Sequence, residues 1–441
     1  MKIGFDGKRA VQNFTGLGNY SRYIVDILCQ FYPENEYVLY APKKRENKRL
    51  NKLTKQYRQL QLSYPTTSFW KKLSSLWRVL GVTRQLEKER IDIFHGLSNE
   101  LPLNIHKSKV KSIVTIHDLI FLRYPQYYHS IDRNIYTYKF RKACENADRI
   151  IAISECTKRD IIEYFGIPAD KIEVVYQGCD TSFTHPVTEE KKREVRAKYQ
   201  LPEHYILNVG SIEERKNALS AVQALTMLPE QIHLVIVGRH TEYTDKIERF
   251  IKENKLEERV HIISNVPFDD LPTFYQLAEI FVYPSRFEGF GIPIIEALYS
   301  GIPVVAATGS CLEEAGGPDS IYIHPDDIKG MANAFKQIYS DPERKKVMIE
   351  KGQIFAKRFS EASGRDLKHL QEINEMNILK HTIKKFIYGT LPYYFMKGYK
   401  PGSPYLKYYE YIKEHGYSRH LYEFKDEYAN MPVDVQKDEE K

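Results

Sequence analysis

Two glutamates, Glu288 and Glu296, bracket a glycine-bearing loop and a proline in the stretch FEGFGIPIIEA. Gly289 and Gly291 let the backbone come close to a ligand. Pro293 predicts a helix start, because its missing N–H costs nothing at the first helical position. The free N–H groups of such a turn, with the helix dipole behind them, favour an anion such as phosphate. Carboxylates on either side of that turn suit sugar hydroxyls on a phosphorylated ligand. A plainer reading of the pair is a dipole complement at Glu296 and a solvated Glu288.

Three more constellations can do chemistry. Arg215-Lys216 lies in GSIEERKN, just past an apolar run. An arginine fork beside a lysine point charge can clamp a diphosphate; an exposed charged turn is the alternative. His117-Asp118 ends the run KSIVTIH, where a histidine can pass a proton or orient a hydroxyl. Gly16 and Gly18 in TGLGN form either a phosphate cradle or a tight turn. No D-x-D pair stands where a metal would be needed, so protein cations are expected in its place and no metal site is assigned. Asp269-Asp270 and Asp326-Asp327 read as solvated turn or cap residues.

The elements that must position these groups alternate. Strands are predicted at Lys2–Phe5, Tyr37–Tyr40, Ile91–His95, Lys111–His117, Ala147–Ser154 and Lys171–Tyr176. A second series runs through Tyr205–Gly210, Leu234–Gly238, Val260–Ile263, Ile280–Tyr283 and Ile302–Ala307. Helical patterns lie between them, with Ser154 as an N-cap and Gly301 as a stop. This predicts an α/β chain of two doubly wound parallel-sheet domains facing a cleft, with ligands at the carboxyl ends of the strands. The charged stretch over residues 181–200 marks the junction, giving domains 1–185 and 186–360. Residues 69–89 form an amphipathic pattern with Phe69, Leu73, Leu76, Trp77 and Leu80 on one side. A helix packed on the sheet is expected, and a membrane-surface helix is the other reading.

FEGFGIPIIEA resembles the E-x7-E signature of the retaining glycosyltransferases of family four, which have the GT-B fold. The resemblance implies that Glu288 contacts the transferred sugar and Glu296 the ribose of the nucleotide. The backbone from Gly289 through Phe290 and Gly291 to Ile292 would touch sugar and phosphates. TGLGNYSRYIVDIL is similar to the family's first glycine loop, and His117 to its active-site histidine. GSIEERKN resembles the pyrophosphate-binding turn, so Gly210 and Ser211 join the donor set. Ser211 stands where many members carry arginine, a charge that Arg215 would supply. Gly238, Ser310 and Glu314 occupy matching places, and Gln177 stands where an asparagine is usual. The resemblance covers about residues 1–375 and implies a crossover helix over 361–380.

The implied activity is retaining, metal-independent hexosyl transfer from a nucleotide sugar, which is a substrate and not a cofactor. His117, Arg215, Lys216 and Glu288 would carry the chemistry. The acceptor would be a glycan or lipid-linked oligosaccharide. The pattern is most like mannosyltransferases of surface polysaccharide assembly, which ranks GDP-mannose ahead of UDP-hexoses. The rivals are a glycoside hydrolase, a nucleotide-binding protein without turnover, and a dinucleotide oxidoreductase. The last lacks a G-x-G-x-x-G after either domain's first strand.

Composition fits. The 441 residues, 42% hydrophobic and 28% charged, suffice for two ordinary domains. Five scattered cysteines indicate neither a disulfide framework nor a zinc site. The start lacks a signal peptide's apolar core and no apolar run reaches the ~18–20 residues of a membrane span, so a cytoplasmic protein is expected. The net charge of +7 is mild. The tail, 381–441, is basic and rich in tyrosine up to about residue 430. It reads as packing surface, as peripheral contact with anionic lipid at the inner face of the membrane, or as a partner surface. No nucleic-acid module is visible.

Overall fold

The structure is a computed structural model that describes residues 1–14 and 16–359. The predicted crossover helix, 361–380, and the tail, 381–441, lie outside the described residues. Among those described, thirteen strands form two wholly parallel sheets. The first holds β1 (Lys2–Asp6), β2 (Glu36–Tyr40), β3 (Leu60–Ser63), β4 (Ile93–Gly96), β5 (Lys111–Ile116), β6 (Arg149–Ala152) and β7 (Ile172–Val174), in the order β3-β2-β1-β4-β5-β6-β7. The second holds β8 (Tyr205–Val209), β9 (His233–Val237), β10 (Val260–Ile263), β11 (Ile280–Tyr283), β12 (Val304–Ala307) and β13 (Ile321–Ile323), ordered β10-β9-β8-β11-β12-β13.

The strands read as short apolar runs, such as IFVY in β11 and VVAA in β12, because helices cover both faces of each sheet. In the second sheet one face packs on the helix Ile292–Tyr299, which contributes Ile294, Ile295 and Leu298. The other packs on the helices Ala218–Leu225 and Glu242–Glu253, through Val222, Ile247 and Ile251. Each sheet reverses its winding once, between β1 and β4 and between β8 and β11. At such switch points the loops diverge and leave a crevice outside the strand ends.

The two crevices face each other. Ile120, Ile153 and Cys156 of the first domain share a buried cluster with Phe287, Phe290, Cys311 and Leu312 of the second. Phe290 stacks on Tyr176 with ring centroids 5.3 Å apart.

Residues 69–89 depart from the expected single helix packed on the sheet. Helix runs over Ser68–Lys72, breaks at Leu73, resumes at Ser74–Leu76, passes through a π-turn at Trp77–Gly81 and ends as Val82–Lys88. The break and the wider turn rotate the stripe away from the sheet. Trp77 is buried, 1% exposed, while Phe69 is 59% exposed and Leu73, Leu76 and Leu80 also face outward. The π-turn instead carries Arg78 inward, where it pairs with Asp6 and, at 2.7 Å, with Glu100. Asp270 is a second correction: it is buried against Lys191 and Lys198 at 2.8 and 2.7 Å, not solvated. Asp327 does cap a helix, accepting from the Gly330 N–H at 2.8 Å. No described helix is long and apolar enough to cross a membrane.

Candidate active site

The loops after β8 and β11, neighbours at the second switch point, bring Arg215, Lys216 and Glu288 together. Glu288 Oε1 accepts from Ser285 Oγ at 2.7 Å and Tyr283 OH at 3.2 Å, and pairs with Arg215 at 3.0 Å and Lys216 at 3.3 Å. Arg215 also donates to the Phe287 carbonyl, fixing its fork across the loop. Lys216 Nζ donates to Tyr283 OH at 3.0 Å. Burial alone would raise the Glu288 carboxyl, but Lys216 and Arg215 outweigh it and hold it at about 2. The same pairing keeps both cations above their ordinary values despite their own burial. Glu288 is therefore neither solvated nor a useful base at neutral pH. Tyr283 and Ser285 were not singled out by sequence. Their only signal was adjacency to the Glu288 loop.

The helix Ile292–Tyr299 begins at this loop. Gly291, at φ +124°, is its cap and adopts a backbone that an L side chain resists. Ile292 is the first helical residue and Pro293 the second, one place later than expected. Glu296 is buried on this helix and accepts from Tyr275 OH at 2.7 Å. Burial, with a smaller push from Asp180, raises its carboxyl to about 7 against the Tyr275 hydrogen bond. Tyr275 carried no sequence signal, because its contact spans two helices.

His117 lies just past β5, with both ring nitrogens engaged. Nε2 lies 2.9 Å from the Leu97 carbonyl and Nδ1 3.3 Å from Gln177 Nε2. Burial depresses it to about 4, so the imidazole is neutral. It is a fixed wall rather than a proton shuttle in this state. Gln177, read from sequence only as a departure, is one of the groups that orient it. The carbonyl of His117 lies so close to Gly289 that a Cβ at that glycine would collide with it. Ser154 Oγ donates to the Gly289 carbonyl at 2.7 Å, binding the two domains here.

Glu314 stands at the same seam. Its oxygens accept from the N–H groups of Glu155 and Cys156 at 2.7 and 2.9 Å, so a carboxylate of the second domain caps a helix of the first. Burial raises it to about 7. Phe290 packs there as well, and Ser310 holds a buried hydroxyl with no partner among the described residues. Such a hydroxyl is open to a ligand. Gly210, at the end of β8, lies under Lys216, and Ser211 beside it is half-buried. Gly238 packs on the Gly210 carbonyl. In the first domain Gly16 opens the helix Gly16–Phe31, and Gly18 packs on the Asn13 carbonyl. Among the described residues no group of three His, Cys, Asp or Glu side chains is placed to hold a metal ion.

This arrangement can do one thing well. It presents two ionised cations and a helix start to a diphosphate, with a buried carboxylate a turn further on for hydroxyls.

The chain matches known proteins over this architecture. Residues 21–183 match the family model described as Glycosyltransferase Family 4, and residues 189–355 match that of Glycosyl transferases group 1. The O-antigen chain mannosyltransferase B of Escherichia coli is 30% identical over 65% of this chain and 76% of its own length. The serotype-specific mannosyltransferase WbdA of Escherichia coli is 29% identical over 57% of this chain, but this chain spans only 32% of it. Among solved structures, HepE from Anabaena in complex with UDP and glucose aligns with TM-score 0.64 at 19% identity, over 81% of this chain and 95% of that one.

Proposed function

The chain belongs to the glycosyltransferases of family four, and we propose that it moves a mannosyl group from GDP-mannose to a glycan in surface polysaccharide assembly, with retention and without a metal. The Arg215–Lys216–Glu288 node at the second switch point carries the proposal. In this reading the donor diphosphate lies between the two cations and the helix start at Ile292. The ribose hydroxyls donate to Glu296. As the bond from the sugar's anomeric carbon to the phosphate oxygen breaks, negative charge grows on the diphosphate. Fixed cations and N–H groups stabilise it there, which is usually the largest catalytic term.

The proton of the acceptor hydroxyl then needs a home. Glu288, held near 2, is too weak a base for it. The departing phosphate oxygen takes the proton as the new bond forms. Attack on the face that the diphosphate leaves gives retention. The relatives named as mannosyltransferases support the sugar assignment, and the O-antigen chain relative supports a glycan acceptor. The exposed side chains of Phe69, Leu73, Leu76 and Leu80 support work beside a membrane surface.

Thermal shift over a panel of nucleotide sugars tests the donor. A ligand at 100 times its Kd stabilises by about 2.7 kcal/mol. GDP-mannose is expected to give the largest shift, and NMR of the product's anomeric proton to show retention. Preference for a UDP-hexose would overturn the donor assignment, and binding without transfer to any glycan would leave only a nucleotide-binding protein.

A further inference from the structure

A second space opens on the other side of Arg215. It has a volume of about 430 Å³ and is lined by Tyr127 and Tyr128 of the first domain and by Glu214, Arg215, Glu242 and Tyr243 of the second. This volume falls within the ~300–1,000 Å³ range of small-molecule sites. We propose that this cavity is a saccharide subsite that holds the terminal sugar of the acceptor glycan. The inference rests on the glycosyl-transfer reading above.

Three observations support it. The first is placement. Glu296, assigned to the donor ribose, sits on the helix that covers one face of the second sheet. Glu242 and Tyr243 begin the helix Glu242–Glu253 on the opposite face. The strand ends with Arg215, Lys216 and Glu288 lie between. A donor bound from the Glu296 side leaves the Tyr243 side open to the second substrate, and Arg215 borders both.

The second is chemistry. Sugars offer apolar C–H faces and hydroxyl donors. Tyrosine rings suit the faces while their OH groups stay available to polar partners. Carboxylates accept hydroxyls in charge-assisted bonds. The cavity combines both, with tyrosines on two walls and carboxylates on one. It is a poor site for a phosphate or a nucleotide, because Glu214 and Glu242 repel an anion.

The third is attachment. Tyr127 and Tyr128 close the short segment that follows the His117 strand, and Tyr124 stacks on Tyr127 with centroids 6.1 Å apart. Tyr124 in turn packs on Phe287, next to Glu288, at 5.5 Å. The cavity wall is thus tied to the reaction loop. A sugar seated on it lies against Arg215, which pairs with Glu288.

The test uses the full chain with GDP present. Methyl α-mannoside, methyl α-glucoside and mannobiose are titrated, with binding followed by ligand-detected NMR, and transfer from GDP-mannose gives the acceptor KM. Saccharide binding to the unmodified protein is expected. It should weaken roughly tenfold in Tyr127→Ala, Tyr243→Ala and Glu242→Gln, with acceptor KM rising to match and GDP affinity unchanged. Tyr127→Phe, which keeps the ring, should retain most of the binding. No saccharide binding, or binding indifferent to these changes, overturns the inference. So does a loss of GDP affinity in the same variants, because it would assign the cavity to the donor. Failure of the glycosyl-transfer reading looks different: saccharide binds, but no nucleotide sugar binds or turns over.

Discussion

Replacing Glu296 with glutamine should stabilise the protein and weaken its donor binding together. The buried carboxyl of Glu296 titrates at about 7 instead of the ordinary 4.5. Between those values the unfolded chain has lost its proton while the folded chain keeps it. The contribution of this carboxyl therefore falls as pH rises across this window, by about 1.4 kcal/mol per pH unit, and is flat above it. The full cost is about 3 kcal/mol at pH 8. Glutamine keeps the shape and still accepts from Tyr275, but has no charge to bury. Glu296→Gln should thus gain about 3 kcal/mol at pH 8 and less than about 1 kcal/mol at pH 5. For a domain of this size that is roughly 6–12 °C in Tm. Glu314 adds a fall of the same sign, and the depressed His117 and His95 add a rise below 6.5, so the readout is the difference between the variant and the unmodified protein at each pH, not the slope of either.

The cost to function follows from the same charge. Ribose hydroxyls donate to an ionised acceptor more strongly than to a neutral amide, by about 1–1.5 kcal/mol. GDP affinity should fall roughly 5- to 10-fold at pH 8. In the unmodified protein it should rise as pH passes 7. Differential scanning calorimetry at the two pH values and calorimetric titration of GDP read both effects. No stability gain at pH 8 would refute the burial argument. A gain with unchanged GDP affinity would refute the ribose assignment.

Lys216→Ala should lower transfer roughly a hundredfold or more, the loss of about 2.7–4 kcal/mol of charge stabilisation, measured as kcat under saturating donor. Near-normal turnover would remove Lys216 from the chemistry. Gly289→Ala places a methyl against the His117 carbonyl, so it should open the domains and abolish transfer; small-angle scattering should show a larger radius of gyration. Chelators should leave the rate unchanged, and a chelated enzyme revived by manganese would refute the cation assignment. Phe69→Ser with Leu73→Ser should weaken binding to anionic vesicles at low salt without touching GDP affinity, and equal vesicle binding would end that reading.

Eleven of the thirteen described strands were legible because parallel strands covered on both faces leave apolar runs; the edge strands β3 and β13 were not, and the order within each sheet depends on pairing between distant segments. Arg215, Lys216 and Glu288 could be named from type and position. Their mutual pairing could not, because it depends on how two loops cross at a switch point. Residues 69–89 show where periodicity fails. A π-turn shifts the register, and the pull of Asp6 and Glu100 on Arg78 lies too far along the chain for a local pattern to hold. Tyr275 and Gln177 escaped for the same reason: their partners are distant in sequence and close only in the fold. Glu314 was placed with the donor by resemblance, while its oxygens in this structure hold the helix Glu155–Phe165 of the other domain.

The Glu288 node explains how two buried cations can wait for a substrate. Unpaired, each would face a desolvation penalty of several kcal/mol, and the loop would tend to open or the lysine to lose its proton. Glu288 offsets that penalty and leaves the three side chains with one net positive charge, beside Glu213 at 3.8 Å from Arg215. A diphosphate brings about two negative charges, so the donor adds to the node rather than replacing its carboxylate. Arg215 and Lys216 then need shift only from one oxygen anion toward another, with no side chain to recruit from solvent. The cations are ionised, desolvated and aimed before the donor arrives, the condition under which fixed charge lowers a barrier most. By the same logic Glu288→Ala should be worse than a lost sugar contact. It leaves both cations without their shared carboxylate, Lys216 with Tyr283 OH and Arg215 with the Phe287 carbonyl and Glu213 at 3.8 Å, a loss of about 3–5 kcal/mol in stability. Glu288→Gln separates the roles, since it keeps the Ser285 hydrogen bond and removes only the charge. If chemical denaturation shows both variants as stable as the unmodified protein, the node is not what holds the cations in place.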